Sequence, residues 1–163
     1  MDKASTCDLG DLHKGDGSGG FRVLPPVFHD YGGRPRFAGP VRTVRCFEDN
    51  SSVKALLATP GDGAVLVVDG AASLRRALVG GNIAASAAQN GWAGVVVNGA
   101  VRDRAELAAC DVGLRALALI PLPTERKREG DVDQPVQVQG VWIRPGDWLV
   151  ADDDGIVVLA ERP

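Results

Sequence analysis

Two aliphatic runs, only a helix-length apart, limit this chain more than any other feature. Ala64–Asp69 (AVLVVD) and Ala93–Asn98 (AGVVVN) are continuous stretches of β-branched and small apolar residues. A strand with one wet face would alternate, so these read as strands buried on both faces. Between them lie a glycine pair, Gly80-Gly81, and Asn82–Asn90 (NIAASAAQN), whose small apolar residues suit a helix packed closely on a sheet, with Gly91 ending it. Strand, helix and strand in that order form a βαβ unit, because parallel strands need a crossover.

The flanking segments extend this unit. Ser5–Leu12 has weak helical character, and Val23–Gly33, with a proline pair and a closing glycine pair, reads as an extended segment ending in a turn. Pro40–Phe47 alternates like a half-buried strand, and Asn50 or Ser51 can cap a short helix through Leu57 before Pro60-Gly61. Gly99–Asp103 is expected as a turn, Arg104–Ala109 as a short helix and Leu114–Ile120 as a strand. The last third changes character. Val136–Ile143 (bent at Gly140), Trp148–Ala151 and Gly155–Leu159 are short strands divided by Arg144–Asp147 and Asp152–Asp154, which is the punctuation of hairpins. The expectation is an α/β fold over residues 1–163, a single domain with a central βαβ unit, C-terminal antiparallel hairpins and a partly flexible stretch at 1–20.

Several functional classes lose support. A net charge of −3 offers no general attraction for nucleic acid or anionic membranes. Cys7, Cys46 and Cys110 are odd in number and widely spaced, so they read as small buried hydrophobes in a reducing, cytoplasmic compartment and not as a disulfide frame or zinc site. The segment 1–20 lacks the apolar run of a signal peptide. Lys3, Lys14, Lys54 and Lys127 sit in polar contexts, whereas a Schiff-base lysine must be desolvated. His13 and His29 have no nucleophile motif beside them, Gly15–Gly20 is no phosphate loop, and Glu125–Glu129 (ERKRE) reads as a solvated mixed-charge loop.

Three features point towards a small anionic ligand. Gly80-Gly81-Asn82-Ile83 opens a helix, where backbone amides lack partners and the dipole favours an anion. Arg102 follows the carboxyl end of a buried strand, and its planar fork suits a carboxylate. Asp103 comes next, in a turn that no longer forces neighbours onto opposite faces. Taken alone, a glycine pair before a helix is more often plain turn chemistry, and an Arg-Asp pair more often a solvated surface pair or a helix cap.

VVDG, SLRRALVGGN, NGWAG and VVVNGAVRD, spread over Val67–Asp103, together resemble the RraA-like family (regulator of ribonuclease activity A) and its relatives, the class II 4-hydroxy-4-methyl-2-oxoglutarate aldolases. Phe47–Asn50, Asp111–Gly113, Pro145–Asp147 and Asp154–Ile156 fit as well. The resemblance implies a three-layer β/β/α fold of the swivelling-domain type, assembled as a homotrimer. It implies that Gly80, Gly81, Asn82 and Ile83 hold a substrate carboxylate, that Arg102 binds the substrate, and that Asp103 is the protein ligand of a divalent metal cation, Mg²⁺ or Mn²⁺. The implied reaction is cleavage of a C–C bond in a small-molecule 2-oxo acid to give pyruvate, by oxaloacetate decarboxylation or aldol cleavage. The alternative is a non-catalytic regulator that binds a ribonuclease partner but not its RNA. Two departures bear on the aldol reaction. Gly81 stands where aldolase-type members carry an acid, and the sequence stops at Pro163, short of an extension that brings a glutamate to the neighbouring subunit's site.

Overall fold

A computed structural model describes residues 4–163. Its elements are α1 (Thr6–His13), β1 (Phe21–Val23), β2 (His29–Asp30), β3 (Phe37–Arg45), α2 (Ser51–Leu57), β4 (Val65–Asp69), β5 (Ala77–Val79), α3 (Gly81–Gln89), β6 (Gly94–Val101), α4 (Arg104–Ala109), β7 (Gly113–Leu119), β8 (Asp131–Val132), β9 (Val136–Val138), β10 (Val141–Ile143), β11 (Trp148–Asp152) and β12 (Gly155–Leu159). The two aliphatic runs are the neighbouring parallel strands β4 and β6, with Val65 opposite Gly94 and Asp69 opposite Asn98. β3 and β7 flank them, also in parallel.

One strand joins the two β layers. Phe37–Pro40 of β3 pairs antiparallel with β11, while Val41–Arg45 pairs parallel with β4. β11 continues to β12 and β1, and β9 and β10 form a separate hairpin. The central parallel strands therefore bury both faces, as their composition requires. One face, with Val44, Leu66, Val68, Val95 and Val97, packs on Leu57, Ile83, Ala87 and Leu107 of the helices. The other, with Val65, Val67 and Val96, meets Val138, Ile143, Leu149 and Val158. Each fully buried aliphatic side chain contributes about 1.5–3 kcal/mol. This is the expected β/β/α layering, with α1 adding Leu9 over the outer face of β11 and β12.

The structure corrects several local expectations. Gly99–Val101 is not a turn: the strand runs on to Val101, pairing Ala100 with Ala77 and Ala118 across a register shift, and only Arg102 and Asp103 leave it. Its small residues let both neighbours approach. β5 was not foreseen, being three residues long and preceded by two arginines. The bend at Gly140 is a full reversal that splits Val136–Ile143 into β9 and β10. Of the cysteines only Cys46 is buried; Cys7 is exposed and Cys110 intermediate, and all three are free. Of the stretch expected to be partly flexible, residues 1–3 lie outside the described residues. The rest carries α1 and a loop tied by Asp16, whose carboxylate accepts the Ser18 amide.

Candidate functional site

β5 and β6 end side by side, tied by the Arg102 amide donating to the Val79 carbonyl at 3.0 Å. One chain continues through Gly80 into α3, the other through Arg102 and Asp103 into α4. Asp103 takes a left-handed conformation (φ 65°, ψ 50°), which aspartate adopts more readily than most residues. It occupies the N-cap position of α4, yet its carboxylate caps the other helix: Oδ2 accepts the Gly81 amide of α3 at 2.9 Å. One aspartate thus sits at the amino ends of two helices. The Asn82 and Ile83 amides, in the first turn of α3, have no partner within the helix.

At both glycines that open α3 a side chain would press on a neighbouring acid, which would have to shift. A side chain at Gly80 would meet the Asp103 carboxylate at 2.8 Å. One at Gly81 would collide with Glu106, whose carboxylate fills that position, although Gly81 itself has no positive φ. The acid absent at position 81 is thus matched in place by one reaching over from α4.

A second loop completes a cleft of about 350 Å³ lined by Gly80–Ile83, Arg102, Asp103, Asn50, Thr124 and Arg126, with Ala77 and Pro123. Asn50, only 6% exposed, donates through Nδ2 to the Leu78 carbonyl at 3.1 Å. Its Oδ1 accepts Thr124 Oγ1 at 2.8 Å and Arg126 Nε at 3.1 Å. Asp49 clamps the same loop, accepting the amides of Lys127 and Glu129 and both donors of Ser51. Burial acts to raise the Asp49 pKa, but those hydrogen bonds prevail and hold the carboxyl down at about 2.

All six residues singled out from the sequence thus lie around one cleft. Asn50, Thr124 and Arg126, which also line it, were missed, as was Glu106, which stands beside Gly81 outside that lining. Asn50 was read only as a helix cap and Arg126 as part of a solvated loop, because nothing in the sequence reveals that the two meet. Glu106 carried one faint signal, a carboxylate three residues after Asp103 on a helix, where such residues share a face. Lys14, Lys54 and Lys127 are exposed, as expected for lysines without Schiff-base chemistry.

Among the described residues no group of three or more His, Cys, Asp or Glu side chains could hold a metal ion alone. Asp103, whose carboxylate borders the cleft, instead offers the single oxygen donor group that suits a hard cation retaining most of its water. The residues fit Mg²⁺ or Mn²⁺ on those terms, and would not fit a structural zinc.

Comparison with known proteins agrees with this geometry. The RraA-like family model, described as Aldolase/RraA, matches residues 6–158. A provisionally named 4-hydroxy-4-methyl-2-oxoglutarate aldolase of Albidiferax ferrireducens is 62% identical, over 97% of this chain and 96% of its own. One from Cupriavidus taiwanensis is 49% identical over 98% of both. Among solved structures, the RNA-processing inhibitor RraA from Thermus thermophilis superposes with a TM-score of 0.93 at 50% identity, covering 100% of this chain and 96% of that one. An S-adenosylmethionine:2-dimethylmenaquinone methyltransferase from Geobacillus kaustophilus gives 0.92 at 38% identity, covering 98% and 96%. The fold and its cleft define an α/β protein of the swivelling-domain type. The chain belongs to the RraA-like family.

Proposed function

We propose that this protein is a lyase that cleaves a C–C bond of small 2-oxo acids to release pyruvate. The observation that carries the reading is the cleft itself, where Arg102, Asp103 and the open end of α3 converge. The relatives named as aldolases support it.

A divalent cation held by Asp103, with water completing its shell, would supply positive charge for the electron pair released on cleavage. The protein's own residues do the rest. The amides of Asn82 and Ile83 take a substrate carboxylate oxygen; the Gly81 amide does not, because Asp103 already engages it. Arg102, tethered only by a 3.4 Å hydrogen bond to the Pro121 carbonyl, keeps donors for the substrate's keto oxygen. In aldol cleavage the C3–C4 bond breaks, its electron pair passes into the pyruvate unit as an enolate, and the C4 hydroxyl proton needs an acceptor. Glu106 is our assignment for that acceptor. Decarboxylation of oxaloacetate releases CO₂ and needs no such base; in both reactions C3 is then protonated.

The direct test is pyruvate release from oxaloacetate and from 4-hydroxy-4-methyl-2-oxoglutarate, with Mg²⁺ or Mn²⁺ and after chelation. Metal-dependent release from either supports the reading, and none from both refutes it. The likeness to the Thermus inhibitor favours a second reading, binding to a ribonuclease through the outer surface. Inhibition that persists in Asp103→Asn would show that it does not use the cleft. We also assign the protein to the cytoplasm and to a homotrimer. Free cysteines fit the first, and exposed Phe47, Leu74, Leu119 and Leu122 fit the second. Among the described residues no helix is long and apolar enough to cross a membrane. A monomer by light scattering at micromolar concentration would overturn the trimer.

A further inference from the structure

We propose that Arg126 receives the distal carboxylate of the substrate, so that the cleft selects 2-oxo acids with a second carboxylate over those with an uncharged tail. The inference rests on the lyase reading for which end of the substrate reacts. Six arginines of the described residues (Arg22, Arg34, Arg42, Arg45, Arg75 and Arg115) pair with carboxylates of the protein. Arg102 and Arg126 are among the arginines without such a pair, and these two line the same cleft from different loops. Arg126 is held at one point, by Nε on Asn50 Oδ1, so both terminal nitrogens of its fork are left to present to a ligand.

The mount is rigid where it needs to be. Asn50 is buried and fixed by Leu78, Asp49 clamps Lys127, and the preceding residues are tied to β5 by the Ala77 amide on the Leu122 carbonyl and by Arg76 on that of Pro123. A guanidinium pre-oriented in this way loses little freedom on binding. A ligand with one anionic end would use Arg102 and α3 and leave Arg126 idle.

The two reactions use that grip differently. Aldol cleavage of 4-hydroxy-4-methyl-2-oxoglutarate keeps the C5 carboxylate intact in the second pyruvate, so an ion pair to it survives the whole reaction. In oxaloacetate the distal carboxylate itself becomes neutral CO₂, and an ion pair that favours its charge opposes the step. Arg126 therefore aids binding of both diacids, and in decarboxylation alone opposes the bond-breaking step.

The test compares two unreactive ligands of equal length, 2-oxoglutarate and 2-oxopentanoate, by calorimetry with Mg²⁺ present. We expect the wild type to prefer 2-oxoglutarate by at least about tenfold, Arg126→Lys to keep part of that preference, and Arg126→Gln to abolish it without changing 2-oxopentanoate affinity. In turnover, Arg126→Gln should raise KM for both diacids about tenfold, with kcat nearly unchanged for the hydroxy-oxoglutarate and raised for oxaloacetate. A wild type with no preference, or a folded Arg126→Gln that retains it, overturns the proposal. Preference for the diacid without any pyruvate release would leave this assignment standing while refuting the lyase; release without preference would do the reverse.

Discussion

The β scaffold and the cleft at the ends of its parallel strands handle charge in opposite ways. In the scaffold most charged side chains are answered by the protein, although Arg22 Nε, Arg115 Nε and Trp148 Nε1 are buried without a hydrogen-bond partner. Arg22 pairs with Asp147 at 2.9 Å, Asp152 takes both donors of Thr6, and Arg115 spends its fork on the carbonyls of Pro35 and Asp152. At the ends of the parallel strands, Arg102 and Arg126 have no acid partner and the first turn of α3 stays half-capped. A paired charge can stabilise; an unpaired one beside water costs little and is available. The scaffold spends its charges on itself, and the cleft keeps its own for the ligand.

That contrast predicts separable effects. The largest should follow Asp103→Asn: loss of metal-dependent turnover with the fold intact, since asparagine also tolerates the left-handed conformation but binds a hard cation poorly. Steady-state assays beside a thermal melt check this, and unchanged metal dependence would remove Asp103 from its role. Next, Glu106→Gln should slow aldol cleavage by roughly 10²–10⁴-fold and spare decarboxylation. Gly81→Asp alone should destabilise, because Glu106 fills its space, whereas Gly81→Asp with Glu106→Ala should recover aldol cleavage relative to Glu106→Ala alone.

In the scaffold the order reverses. Asp147→Ala removes the acceptor of the Arg144 amide and leaves Arg22 with only the Trp142 and Gly20 carbonyls, and should cost about 3 kcal/mol in urea unfolding, with kcat per folded molecule retained. A loss of kcat at full folding would break the division between scaffold and cleft.

The smallest effects are those of pH and thiol chemistry. Asp49 is lowered on folding, so its contribution is complete above the unfolded value near 3.9 and is lost as pH falls through about 2. Asp49→Asn should flatten the stability profile between about pH 4 and 2, and an unchanged acid limb would show that the clamp contributes nothing. The Cys46 thiol, pushed up to about 12 by burial and then by Asp49 and Asp69, should resist alkylation in the native protein while exposed Cys7 reacts.

How much of this was legible in the sequence depended on how local each signal is. AVLVVD and AGVVVN state their burial outright, and the glycine pair with Arg102-Asp103 falls at the ends of the elements those runs define. β5 was not legible, because three residues show no period and its strand state comes from its pairing with Ala100 and Val101. The second half of the site was hidden for a related reason. Asn50 and Arg126 are far apart in sequence, and only the return of the 121–126 segment past β5 brings them together.

Phe37 opens the strand shared by both layers, and its ring lies where side chains at Gly94 and Gly113 would have to go. The three positions therefore cannot vary independently over generations. A larger residue at either glycine requires a smaller one at 37, and a change at 37 leaves a void over two strands at once. In a library that randomises all three, the surviving sequences should be correlated combinations, with bulk moving from one position to another while its total stays fixed.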